Sequence, residues 1–186
     1  MTNNSRGSKW KTLKKELKYE NPWMKVYEDK VIRPDGKEGI YGYLEKPPGV
    51  FIIALDKDNS IYLIREYRYV LKQAIFQIPS GVVDERLSIE ENAAKELYEE
   101  TGIKAGKLTE LGSYFTAPGH ETTVQYAFLA ENLDTSKIES HQEGDESIEE
   151  IVKVPINEVK KMIIRNEIQC GITLAALNLF FQHKKI

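Results

Sequence analysis

The chain has 186 residues, enough for one compact domain with a small appendage and a real core. Its 41% hydrophobic and 30% charged content is ordinary for a soluble globular protein, and a formal charge of −3 gives no footing for a general nucleic-acid or membrane-surface binder. Cys170 is the only cysteine, which excludes an intrachain disulfide and a thiolate zinc cluster. No apolar run approaches membrane-spanning length and the polar, basic N-terminus lacks a signal-peptide core, so a cytoplasmic protein is expected.

Residues 1–8 are polar and read as a disordered tail. Residues 10–19 (WKTLKKELKY) read equally as a strand or a short helix, broken at Asn21-Pro22. WMKVYEDKVIRP and IYGYL then predict two strands joined about Pro34-Asp35-Gly36, an antiparallel hairpin. Pro47-Pro48-Gly49 marks a boundary, so 9–47 is expected to be a small N-terminal β subdomain, too small to be stable alone, and 48–186 the main domain. GVFIIALD is a buried-strand run, with a turn at 57–60 and IYLIREYRY as its antiparallel partner. Residues 74–78 form a short strand leading into the proline–glycine loop IPSGVVD.

An amphipathic helix follows. Ser88 and Glu91 make a capping-box signal, and Gly102 suits the position just past the helix end. Ile89, Ala93, Leu97 and Ala94 recur at helical spacing and are expected to face a core. Glu96, Glu99 and Glu100 share another face. A solvated acidic face is the bland reading, but these acids repel one another and lie at the negative end of the helix dipole. A hard divalent cation explains such a cluster best, and Mg²⁺ prefers carboxylate, carbonyl and water oxygens. Strands at 107–115 and 124–130 flank the loop TAPGHETT, and an acidic stretch precedes a strand at 151–154. Helices are predicted over 156–165 and 171–183, the last one strongly apolar. This order predicts an α/β fold, a mixed sheet sandwiched by helices.

Residues 81–103 resemble the Nudix box, G-x5-E-x7-R-E-U-x-E-E-x-G-U, with Gly81, Glu96, Leu97, Glu99, Glu100, Gly102 and Ile103 in register. Leu87 stands where the family has its first glutamate and Lys95 where it has arginine, two positions usually described as structural partners. Losing both is milder than losing one, because half of a buried pair leaves an uncompensated charge. The resemblance implies an α/β/α sandwich with the box as loop–helix–loop, and Glu96, Glu99 and Glu100 as metal ligands.

Further motifs resemble the ADP-ribose pyrophosphatase branch. REYRY is similar to its R-Q-Y-R segment, which makes Arg68 the substrate-contacting arginine, with Arg65 beside it; from the residues alone either is surface charge on a strand end. FQIPSG is similar to E-L-P-A-G: Gln77 replaces glutamate and removes a charge, and Ser80 can still supply a backbone carbonyl to metal. Pro118, fifteen residues after Ile103, matches a marker proline, though turn chemistry alone would explain it; neighbouring His120 reads as a surface-loop histidine. In the acidic loop, Glu146 matches a metal-ligand position, and Glu143 or Asp145 stands nearest the companion glutamate and general base. Trp23 is either a packed side chain or, as the branch implies, the aromatic that stacks on adenine, often across a domain-swapped dimer.

The expected function is Mg²⁺-dependent hydrolysis (Mn²⁺ substituting) of ADP-ribose to AMP and ribose 5-phosphate, by a homodimer. Two alternatives stand beside it: the same chemistry on another nucleotide sugar such as GDP-mannose, and a non-catalytic nucleotide-binding module.

Overall fold

The computed structural model describes residues 9–140 and 147–186. They divide into two units: the chain up to Pro47 together with Ala117–Thr123, and Pro48–Thr116 together with Val124–Ile186.

In the first unit, β1 (Lys11–Lys14), β2 (Leu17–Asn21), β3 (Met24–Ile32) and β4 (Glu38–Glu45) form an antiparallel sheet. β3 pairs with β4 along one edge and with β1 and β2 in succession along the other. Residues 10–19 therefore resolve into two strands, not a helix; Leu13 and Leu17 stay about half exposed, so the segment has no apolar stripe to bury. Asn21 Oδ1 accepts the N–H of Trp23 and of Met24, each at 2.9 Å, and closes the turn into β3. The hairpin predicted about Pro34-Asp35-Gly36 forms, with Gly36 at φ 83 where a side chain would be strained. Residues 117–123 join this unit through backbone bonds between Leu44 and both His120 and Thr122.

The second unit contains β5 (Gly49–Leu55), β6 (Ser60–Arg68), β7 (Gln73–Gln77), β8 (Ser80–Val82), α1 (Ile89–Thr101), β9 (Lys104–Phe115), β10 (Val124–Asp134), β11 (Ile148–Pro155), α2 (Ile156–Ile164) and α3 (Gly171–Lys184). The strand order is β11-β6-β5-β10-β9, with β5 and β10 parallel and the other pairs antiparallel. This is the α/β/α sandwich expected from the sequence. Strand alternation divides its core. Val50, Ile52, Ala54, Phe128 and Ala130 pack with Ala93 and Leu97 of α1. Ile53, Leu63, Ala127 and Leu129 pack with Val159 and Met162 of α2 and Leu177 and Phe180 of α3. The continuous apolar run in β5 is thus a strand buried on both faces.

One local feature positions the site. β5 and β6 pair antiparallel as expected, in register only at Ala54↔Tyr62 and Leu55↔Ile61. They then diverge, and β7 pairs with the freed end of β6 while β8 pairs with the freed end of β5. The Pro-Ser-Gly loop of the sequence reading consequently includes a short strand, held by Gly49–Phe51 of its neighbour.

Both α1 caps form. Ser88 N–H donates to Glu91 Oε2 at 2.7 Å, and Glu91 N–H to Ser88 Oγ at 3.1 Å. Gly102 sits at φ 71, and a Cβ there would also strike the Lys137 carbonyl. Ala93 and Leu97 are buried as expected, but Ala94 is exposed and Asn92 takes the buried place. No helix among the described residues is long and apolar enough to cross a membrane.

Candidate active site

The Nudix-like segment brings the helix face against β8. Glu96 and Glu100 of α1 are 6% and 2% exposed, and Glu100 Oε2 accepts the Ser80 N–H at 2.6 Å. Gly81 lies against Glu96 so closely that a Cβ there would overlap its carboxylate. The glycine is needed for close approach here, since its φ is not in the left-handed region. Lys95 Nζ reaches Glu99 Oε2 at 2.6 Å and Glu96 Oε1 at 3.2 Å. Burial opposes its charge, but these carboxylates outweigh that and hold its pKa above the ordinary value. Leu87, the other departure from the family pattern, is about one-third exposed. With its family partner gone, the cation at position 95 neutralises part of the acidic face.

Asn92, which the sequence reading passed over, locks the loop ahead of this helix. Its buried amide accepts the Asp84 N–H at 2.8 Å and donates to the Asp84 and Ser88 carbonyls at 3.1 and 2.9 Å. A polar residue in a helix slot otherwise filled by alanine or leucine is the sequence signal that could have revealed it.

A second group lies along β6 and β7. Period-two alternation places Glu66 and Arg68 on one face and Arg65 on the other. Arg68 Nη1 is 2.8 Å from Glu66 Oε1, and Arg68 Nε donates to Gln77 Oε1 at 3.2 Å. Gln77 Nε2 in turn donates to Glu66 Oε2 at 2.6 Å. Gln77 is 2% exposed and stands behind Arg68, whereas Arg68 is 42% exposed and open to solvent. Arg65 turns away to pair with Glu149 of β11 at 2.6 Å. Arg65 and Arg68 are therefore not brought together, and Glu66 is a member of the group that sequence reasoning missed.

The first unit contributes a cavity of its own, about 400 Å³, lined by Trp10, Asp29, Tyr41, Tyr43, Pro118 and His120 among others. Trp10 and Tyr41 meet edge to face at 5.4 Å, and Tyr41 Oη donates to the Gly119 carbonyl at 2.9 Å. Asp29 is 8% exposed and its Oδ1 has no hydrogen-bond partner among the described residues. Trp23, by contrast, is 66% exposed at the β2–β3 turn. Glu143, Asp145 and Glu146 lie outside the described residues.

The comparisons with known proteins fall on the same segments. A family model for the NUDIX domain matches residues 45–169, and one for the nucleoside diphosphate sugar hydrolase N-terminal domain matches residues 10–44. The chain belongs to the Nudix family. Among relatives of this Nudix chain, an ADP-ribose pyrophosphatase of Bacillus subtilis (strain 168) is 28% identical and a methanol dehydrogenase activator of Bacillus methanolicus 26% identical. Each alignment covers 90% of both proteins. A crystal structure of an ADP compounds hydrolase superposes with TM-score 0.82 at 24% identity, covering 96% of this chain and 95% of the other, and shows the shared fold.

Nudix hydrolases generally need a divalent metal, and the site can be tested for one. Among the described residues no three His, Cys, Asp or Glu side chains are gathered into a ready metal cage. The donor chemistry nevertheless fits a hard cation: carboxylates crowd one helix face, and a glycine cradle admits one of them against the backbone of β8.

Proposed function

We propose that this Nudix hydrolase splits the diphosphate of a nucleoside diphosphate sugar, with ADP-ribose as substrate and AMP and ribose 5-phosphate as products. The observation that carries the reading is the pair of buried carboxylates, Glu96 and Glu100, held against Ser80 and Gly81 on a helix that ends without a basic residue. Carboxylates kept at the negative end of a helix are stabilised by a cation and destabilised without one. The named activity of the Bacillus subtilis relative, similar along nine-tenths of the chain, supports the substrate.

In this reading Glu96, Glu99, Glu100 and the Ser80 carbonyl hold Mg²⁺, with Mn²⁺ as a substitute and Glu146 as a further ligand. Such a cation neutralises the diphosphate and lowers the pKa of water. Arg68 binds a phosphate oxygen through its planar guanidinium. Glu146 or Glu143 orients the attacking water. Trp23 stacks on the base, and Pro118 shapes the cavity of the first unit. The exposed Leu13, Leu17, Tyr19, Trp23 and Ile40 of that unit support its burial in a homodimer, which light scattering would refute by returning a monomer mass.

Hydrolysis of a panel of sugar nucleotides with Mg²⁺, beside a Glu100→Gln variant and a chelated control, tests the assignment. ADP-ribose turnover lost in both controls is the expected result, and turnover of GDP-mannose instead would move the substrate while keeping the chemistry. A second reading, a nucleotide-binding module without turnover, is favoured by one observation, the Lys95 ammonium seated among the carboxylates. Tight nucleotide binding with no turnover of any panel member would select it.

A further inference from the structure

Glu66 and Gln77 form a hydrogen-bonded set with Arg68 whose logic depends on which of the two is charged. The carboxylate only accepts, while the carboxamide both donates and accepts. Gln77 can therefore give its N–H to Glu66 at 2.6 Å and take the Arg68 Nε–H at 3.2 Å, while Glu66 takes Arg68 Nη1 at 2.8 Å. Each of these three contacts has one donor and one acceptor, and the Glu66 charge faces the Arg68 guanidinium.

The same three contacts survive if the two side chains trade identities. A glutamine at 66 would donate to a glutamate at 77 and accept from Arg68 Nη1, and the glutamate would accept from Arg68 Nε. The R-Q-Y-R and E-L-P-A-G patterns have that opposite arrangement, glutamine on the first strand and glutamate on the second, where this chain has Glu66 and Gln77. Changing one position alone breaks the set. Two carboxylates would face each other across the present 2.6 Å contact, or two carboxamides would leave the guanidinium without its counter-charge.

We propose that Glu66 and Gln77 are a compensated exchange, a carboxylate–carboxamide pair that holds the Arg68 guanidinium in one orientation for substrate phosphate. The substitution at Gln77 therefore removes no charge from the group: Glu66, next to it on the adjacent strand, carries that charge. Both are positioning residues. Their burial, 5% and 2% exposed, keeps them from touching substrate themselves and shields the contact from water. The role assigned to Arg68 rests on the phosphate-binding reading above; its geometry does not.

The test is a cycle of Glu66→Gln, Gln77→Glu and the double exchange. Each single variant is expected to raise KM for ADP-ribose by about tenfold with a smaller change in kcat, because a charge-assisted contact that orients the phosphate-binding group is lost. The Gln77→Glu variant should also gain a pH dependence near neutrality, as two facing carboxylates share a proton. The double exchange is expected to return KM to within about threefold of the parent, far from the product of the single effects. A double variant no better than the worse single one would overturn the proposal, as would single variants that lower thermal stability and leave KM unchanged. The Arg68 Nε–Hε resonance gives a readout without turnover. It should shift and exchange faster in each single variant and recover in the double. If the parent protein hydrolyses no sugar nucleotide, the functional reading fails while this resonance still decides the exchange; an unchanged resonance across the cycle would refute it.

Discussion

The two acidic groups of the larger unit are both buried and built on opposite principles. On β6 and β7, Glu66 meets a guanidinium and a carboxamide, so negative charge and donors arrive together from the protein. On α1, Glu96, Glu99 and Glu100 share one helix face, with the Lys95 ammonium reaching Glu96 and Glu99, at the end where the helix dipole adds to the repulsion. The first group is closed by its own chain and orients a side chain. In the function proposed above, the second is completed by a cation from outside. The lesson is that burial of a carboxylate does not by itself mark a site; the groups it meets decide what it can do.

That contrast can be broken at three points. The largest effect is expected from Gly81→Ala, whose new Cβ overlaps the Glu96 carboxylate and forces the helix face off β8. Activity should fall roughly 10–100-fold, as for loss of a group that orients metal ligands, with about 1–3 kcal/mol of stability lost to overpacking. Paired assays of turnover and urea unfolding would read both, and an active, fully stable variant would remove the cradle from the account. Lys95→Ala sharpens the contrast by removing the ammonium that reaches Glu96 and Glu99. Since the lysine side chain is 39% exposed, its pairing is screened, and tighter Mg²⁺ binding by about two- to fivefold is expected in calorimetry. Weaker Mg²⁺ binding would mean that Lys95 helps assemble the site.

The smallest effect concerns Asp84, in the loop ahead of α1. A hydrogen bond from the Arg86 guanidinium, with the Arg86 backbone N–H, lowers its carboxyl to about 2. A carboxyl whose folded pKa is depressed stabilises the fold above its ordinary value of 3.8, and that contribution is lost as pH falls toward about 2. Arg86→Ala should remove that contribution at neutral pH, by a small amount because the pair is exposed, and flatten stability across this window so that variant and parent converge as pH falls toward about 2. An NMR titration of the Asp84 carboxyl reads the shift directly, and a parent value near 3.8 would contradict it.

Much of the fold is legible in local pattern because caps, turns and periodicity act over a few residues. Ser88, Glu91 and Gly102 delimit α1, and Pro34-Asp35-Gly36 turns β3 into β4. The misses share a different cause. Ser80–Val82 looks like loop until Gly49–Phe51 supplies its pairing, and Ala94 looks like core until Asn92 is drawn inward to hold Asp84. β9 and β11 begin earlier than the predicted strands, at Lys104 and Ile148, because backbone pairing to β10 and β6 extends over polar residues such as Lys104, Glu149 and Glu150 whose side chains are exposed.

The box itself, its three glutamates and its two departures needed nothing beyond the order of residues, since one helix sets their common face at fixed spacing. Which group each charge meets was decided elsewhere. Glu100 finds a backbone N–H twenty residues back, Gln77 finds Glu66 across a hairpin, and Arg65 leaves Arg68 for Glu149 eighty-four residues on. Such partners depend on strand register and on where one sheet edge gives way to another, and no single segment encodes either.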